Sequence, residues 1–305
     1  MDTAIIEFIN NNLSTIMSPV NVIVGAMISA IFIRHNKDIE EIEKIKNAKF
    51  AEVTEDLIKS GRMTCTEFYK TRNFLKIAKK ADEYYREKYS ENTKTSNFKE
   101  FDWDWYFRFY ENSGNISDED LQDLWAKILA GEINETNSFS LRTLDLLKNI
   151  RKHEASMFME LLKHCVIGNN TAFLPYYDKF LNKAGISYSM ILYMAELGLL
   201  FNDPSLVLEK ELAEIEVGLF DNKSIIVMAS KNNSENEIIK IKQFPLTTIG
   251  REIASIIDIG ISDEDFIMLM REIKEKEGYQ AKIVAHKIIS INDKTVQYSL
   301  DDLLE

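Results

Sequence analysis

Glycine and proline are scarce in this chain of 305 residues, with 11 and 4 copies. That scarcity excludes collagen-like, propeller-like and low-complexity architectures, which are rich in one or both. Cysteine is nearly absent as well. Cys65 and Cys165, with four scattered histidines, build neither a disulfide framework nor a thiolate zinc site, so a reducing interior is the default. Cationic excess is missing too: a net charge of −12 argues against a general polyanion binder while leaving room for a local basic patch. The phosphate-cradling glycine loop, H-E-x-x-H, D-x-D-x-D-G and G-x-S-x-G do not occur. The expectation is therefore no catalytic residue, no metal site and no cofactor. His153 and His164, with Cys165 beside the latter, stand too far apart on one helix to share a metal. Glu209-Lys210-Glu211 comes nearest to a nuclease pattern and keeps a metal-dependent enzyme as a third reading.

What the chain does contain is enough apolar material for a real core: 45% of its residues are hydrophobic and 28% charged. No charge occurs between Glu7 and Arg34, and residues 16–33 are strongly apolar. A spanning helix needs ~20 apolar residues, so this segment, carrying Ser18, Pro19 and Asn21, sits at the lower edge. Gly25 with Ser29, and Ala26 with Ala30, place small residues at i, i+4 on a flat face suited to close helix packing. Residues 1–36 thus read as an apolar helix that either anchors the chain or joins subunits. As an anchor in an inner membrane, with Arg34, His35 and Lys37 at its carboxyl flank, it leaves the bulk of the protein on the cytoplasmic side.

Residues 37–95 read as a helical, coiled-coil-like linker, with Ile39, Ile42, Ile45, Phe50, Val53 and Leu57 on a narrow stripe. Thr64 stands three residues before Glu67, a capping box opening a helix to about Tyr89. Its aromatics alternate with Arg72, Lys76, Lys79 and Lys80; an amphipathic helix with a solvated basic face explains this more simply than nucleic-acid binding. The polar stretch 90–99 suggests a domain boundary. Helices then follow from Phe101, from Leu121 to Ile133, after Ser140, and from Lys152 to Val166. The constellation Trp125, Glu132, Ser140, Arg142 and Thr143 flanks a short inter-helix loop. Arg142, in the first turn of its helix, is placed to pair with Glu132 and brace that loop.

The phrases Leu124–Glu132 (LWAKILAGE) and Ser138–Leu144 (SFSLRTL) resemble the bacterial domain-of-unknown-function 2806 family. The resemblance continues through Gly185–Leu200 and Phe244–Ile253 (FPLTTIGREI), covering roughly Asp102 to Asp258. The helical phrase is also similar to Abi-alpha-like proteins of abortive infection. Towards the amino end the chain departs from the family, being more apolar and richer in Ile and Asn. The resemblance implies a fold and a defence setting, without a mechanism.

The remaining residues read independently. Ser187 to Leu200 is a helix closed by a Gly-Leu-Leu turn. Ala213–Phe220 and Ser224–Ser230 form a hairpin about Asp221-Asn222-Lys223, Ile238–Phe244 is a strand, and Leu246–Asp258 a helix. This is the texture of a winged helix, yet its recognition helix carries no Lys or Arg, only Glu196, which disfavours nucleic acid as a partner. Residues 261–305 add a helix from Ser262 to Gly278, strands from Ala281 and Thr295, and an acidic end, Asp301–Glu305, read as frayed or, alternatively, as a docking motif. The whole is a mainly α, α+β chain: 1–36, 37–95, a helical plus winged-helix-like domain at 100–260, and 261–305. Its expected role is a non-enzymatic defence or stress protein of abortive-infection type at the inner membrane. The alternative is a soluble homo-oligomeric regulatory module. The expected partners are a second copy, the membrane or another protein.

Overall fold

A computed structural model describes residues 59, 64–89, 102–168, 171–232, 238–257, 259–278, 281–292 and 295–305. The apolar segment 16–33 with Gly25, Ala26, Ser29 and Ala30, the stripe 39–57 and the stretch 90–99 lie outside the described residues. Among the described residues, no helix is long and apolar enough to cross a membrane. The chain divides into two compact units at Lys152/His153.

In the first unit, helix α1 (Cys65–Tyr89) opens with the expected capping box: the Thr64 amide donates to Glu67 Oε2 at 2.7 Å, and the Glu67 amide to Thr64 Oγ1 at 3.2 Å. Its inward face is Phe74, Ile77, Ala78, Ala81 and Tyr85, all buried, at the spacing of one helical stripe. Lys76 and Lys79 face solvent. Residues 65–89 thus form a packed helix, lying mainly on α3 (Glu119–Asn134). Helix α2 (Trp103–Ser113) is capped by Asp102, whose carboxylate accepts from the amides of Asp104 and Trp105. Aromatic packing then fixes the core. Trp105 stacks on Phe109 at 5.2 Å, and Phe109 meets Trp125 edge-on at 5.1 Å. Each such pair contributes ~0.5–1.5 kcal/mol beyond its burial. Helix α4 (Leu141–Leu147) closes the unit.

The second unit is α+β. Helix α5 (Lys152–Leu162) leads into β1 (Val166–Ile167) and β2 (Ala172–Pro175). The helix expected to run to Val166 stops four residues earlier, because Lys163, His164 and Cys165 turn the chain into β1. Helices α6 (Asp178–Ala184) and α7 (Tyr188–Glu196) follow, then β3 (Val207–Glu211). The expected hairpin is β4 (Val217–Asp221) with β5 (Ile225–Lys231), turning through Lys223 at φ 74°. Strand β6 (Ile238–Pro245) pairs antiparallel with both β2 and β3, giving the order β1-β2-β6-β3. It alternates as a half-buried strand must: Ile239 and Ile241 are inside, Lys240 and Lys242 outside. Helices α8 (Thr248–Ile257) and α9 (Asp263–Glu277) precede β7 (Ala281–Asn292) and β8 (Thr295–Tyr298), which complete a second sheet, β4-β5-β7-β8.

The acidic end is not frayed. Asp302 Oδ1 accepts from the amides of Ala285 and Leu304, the Leu303 amide donates to the Ala285 carbonyl, and Leu304 is buried.

Candidate functional site

The constellation named from the sequence assembles around one carboxylate. Helix α3 starts at its Asp118 cap and runs long enough to carry Glu132 into the core, where it is 1% exposed. After α3 the chain turns through Asn137, held at φ 68°, so that its amides point back at Glu132. Glu132 Oε1 accepts from the Asn137 amide at 2.6 Å and Oε2 from the Phe139 amide at 3.0 Å. The same loop is held from the other side by Trp105, whose indole N–H donates to the Phe139 carbonyl at 2.8 Å. Ser140 then caps α4, accepting from the Thr143 amide. Burial pushes the Glu132 carboxyl up to about 7, against the amides of Asn137, Phe139 and Ser138, which favour its charged form.

Arg142 takes no part in this. It is exposed, and among the described residues no ion pair joins it to Glu132, whose two oxygens accept from the loop amides. The expected brace is therefore backbone N–H, not guanidinium. Arg142→Ala should change the unfolding free energy by no more than ~0.5 kcal/mol, as for an exposed side chain; a loss above ~2 kcal/mol in a denaturant titration restores the ion-pair reading. Trp125 and Thr143, fully buried, belong to the core beneath the loop. The Trp125 indole N–H has no hydrogen-bond partner among the described residues.

A second buried carboxylate does similar work in the other unit and went unnoticed in the sequence. Helix α6 has Tyr177 at its N-cap position with no side-chain cap. Glu272, on α9 and 5% exposed, supplies one from a distance: its oxygens accept from the amides of Lys179 at 3.1 Å and Phe180 at 2.8 Å. Lys276 reaches the same carboxylate at 3.3 Å. In sequence Glu272 and Lys276 look like an ordinary solvated i, i+4 pair; the missing cap at Tyr177 was the only signal.

A model of the family described as Protein of unknown function (DUF2806) matches residues 59–271. The chain belongs to this family. No curated protein and no solved structure matches it. The DUF2806 region takes in the Glu132 clamp, helices α6 and α7 and the Thr247–Gly250 phrase, and stops inside α9 one residue before Glu272.

Other candidates in the DUF2806 region resolve less sharply. Glu209, Lys210 and Glu211 lie exposed on β3, an edge strand of its sheet, and Glu209 pairs with Lys240 at 2.8 Å. Charges there deter pairing with a foreign strand. Among the described residues no group of His, Cys, Asp and Glu is placed to hold a metal. Cys165 is fully buried, and burial pushes its thiol up, away from reactivity. A cleft of about 140 Å³, lined by Ile167, Asn222, Lys223 and Ile259–Ile261, falls well short of the ~300–1,000 Å³ of ligand pockets.

The exposed face of α7 is different in kind. Tyr188 is 48% exposed, Leu192 40% and, just beyond the helix, Phe201 50%. Tyr188 and Leu192 are i, i+4 neighbours, and Tyr188 is fixed by its hydroxyl on Asn202 and its ring near Phe244. From Gly185 to Pro204 the only charges are Glu196 and Asp203.

Proposed function

We propose that the DUF2806 region of this chain is a non-enzymatic docking module that takes an amphipathic helix of a partner protein on α7, within a defence or stress response of the abortive-infection type. The observation that carries this is the α7 face: aromatic and aliphatic side chains held at the surface of a stretch, Gly185–Pro204, whose only charges are Glu196 and Asp203. A duplex demands phosphate-neutralising Lys or Arg at this place. A helix with apolar anchors and a basic rim matches both the apolar stripe and its charge. The chain order α5–β1–β2–α6–α7–β3–β4–β5–β6, with β2, β6 and β3 adjacent in one sheet and the β4–β5 hairpin inserted into the other, supports a winged-helix-like reading in which α7 occupies the recognition position. The prominent buried acids fit the same role, since Glu132 and Glu272 each hold two backbone amides and are engaged structurally.

A labelled amphipathic Leu/Lys helix of about 14 residues tests the proposal by fluorescence anisotropy. The full chain should bind it in the micromolar range, and Leu192→Asp or Phe201→Asp should weaken binding about 10-fold or more at unchanged melting temperature. A DNA duplex at the same concentration should not bind. Duplex binding lost on mutating α7, or peptide binding indifferent to both substitutions, sinks the reading.

A further inference from the structure

The segment 299–305 lies against β7 as a ligand lies against a receptor. Strand β7 gives one edge to β5 along Ala281–Lys287 and the other to β8 from Ile288 onward. Opposite β5, the edge beside Ala285–Lys287 is filled by this segment. The Ser299 amide donates to the Lys287 carbonyl, the Leu303 amide to the Ala285 carbonyl, and the Ala285 amide to Asp302 Oδ1. An aspartate side chain thus replaces the ladder carbonyl that a regular strand would offer. Lys274 on α9 reaches Asp302 Oδ2 at 3.4 Å. His286 Nδ1 stands 3.0 Å from the Asp301 carbonyl, its ring stacked on Tyr298 and Nε2 3.5 Å from Glu216. Of the seven residues only Leu304 is buried; Leu300 is 92% exposed and Asp301 and Glu305 face solvent. Two backbone amides, the Ser299 hydroxyl, the Asp302 carboxylate, the His286 contact and one buried leucine hold this short surface segment, whose ordering costs entropy at every residue. With only one of its seven side chains buried, it opens at lower cost than the strands paired along their length.

We propose that the β7 edge beside α9 is a receptor site for an acidic Asp-x-Leu peptide of a partner protein, and that residues 299–305 are its exchangeable occupant in cis. Recognition combines strand addition at Ala285, the Lys274 charge and the Leu304 seat. It is a surface separate from α7.

The probe is a fluorescein-labelled peptide with the sequence of residues 298–305. It should bind the chain lacking residues 299–305 and bind the full chain about 10-fold more weakly, because the site is already filled. An Asp302→Asn peptide should lose about 10-fold, as should Lys274→Ala in the truncated chain. A truncated chain with the parent's circular dichroism and no affinity for the peptide overturns the proposal, as does equal binding of the Asn peptide. If truncation costs the fold, full-length Asp302→Ala takes its place: a folded variant that binds the peptide supports the proposal, and a folded variant that does not overturns it. Unfolding of both shows a constitutive strand, which also overturns it.

Discussion

Replacing Glu132 by alanine should destabilise the unit that holds it by about 3 kcal/mol or more. Two backbone amides, of Asn137 and Phe139, lose their acceptor, a carboxylate that is itself 1% exposed. Each such hydrogen bond contributes ~0.5–1.5 kcal/mol, and orphaned buried donors carry their own desolvation cost of ~1–3 kcal/mol. Glutamine should do little better, since its NH₂ must face one of the two amides. All three tryptophans of the chain, Trp103, Trp105 and Trp125, lie in this unit, so their fluorescence in a urea titration reads the effect.

The same residue predicts a pH dependence. The Glu132 carboxyl titrates at about 7 when folded against an ordinary 4.5, so the folded chain holds this proton more tightly than the unfolded one. Its contribution is therefore fully present below about pH 4.5 and is lost as pH rises through 7. The loss amounts to roughly 3 kcal/mol at about 1.4 kcal/mol for each tenfold shift in proton affinity. Glu132→Gln cannot titrate, so the difference between parent and variant should narrow steadily from pH 5 to pH 8. A constant difference across that range contradicts the assignment.

Gly250→Ala should be as damaging in the second unit, although it replaces glycine by the best helix former at the start of a helix. A methyl group there would collide with the backbone carbonyl of Leu199. That carbonyl cannot retreat freely. It accepts the Thr247 amide at 3.1 Å, while Thr247 Oγ1 donates to the Gly198 carbonyl at 2.6 Å and accepts the Gly250 amide at 3.1 Å. Moving it breaks this joint between the end of α7 and the start of α8, at an expected ~3 kcal/mol or more. Gly185→Ala is the control. Gly185 sits at φ 68° with open space where a methyl would go, so only the left-handed backbone is penalised, by ~1 kcal/mol. Hydrogen exchange over residues 198–257 should rise sharply in Gly250→Ala and little in Gly185→Ala. Equal protection in the two variants means the joint is not rigid.

These two positions show what kind of information a sequence holds. The phrases around Glu132 and Gly250 were legible as phrases, because caps and helix stripes are local and repeat at fixed spacing. The Thr64–Glu67 box, the Asp118 and Ser140 caps, the hairpin at Asp221–Ser224 and the helix from Ser262 all follow from residues within a few positions of one another. Residues 152–184 are less legible. Strands β1 and β2 span two and four residues, too few to display a period, and the turn at 163–165 contains no glycine or proline to announce it.

The sequence by itself determined the helical content, the family and the loop that matters. Only the tertiary structure decided who holds that loop. Arg142 was the natural partner for Glu132 by charge, yet a buried carboxylate next to free backbone amides is satisfied more cheaply by them than by drawing a long guanidinium out of water. The cap of α6 by Glu272, 92 residues from Phe180 along the chain, and the seating of Asp302 on Ala285 are of the same kind. Each pairs a side chain with a backbone group that every residue carries, so nothing in the partner's identity marks it in advance; only the fold brings the two together.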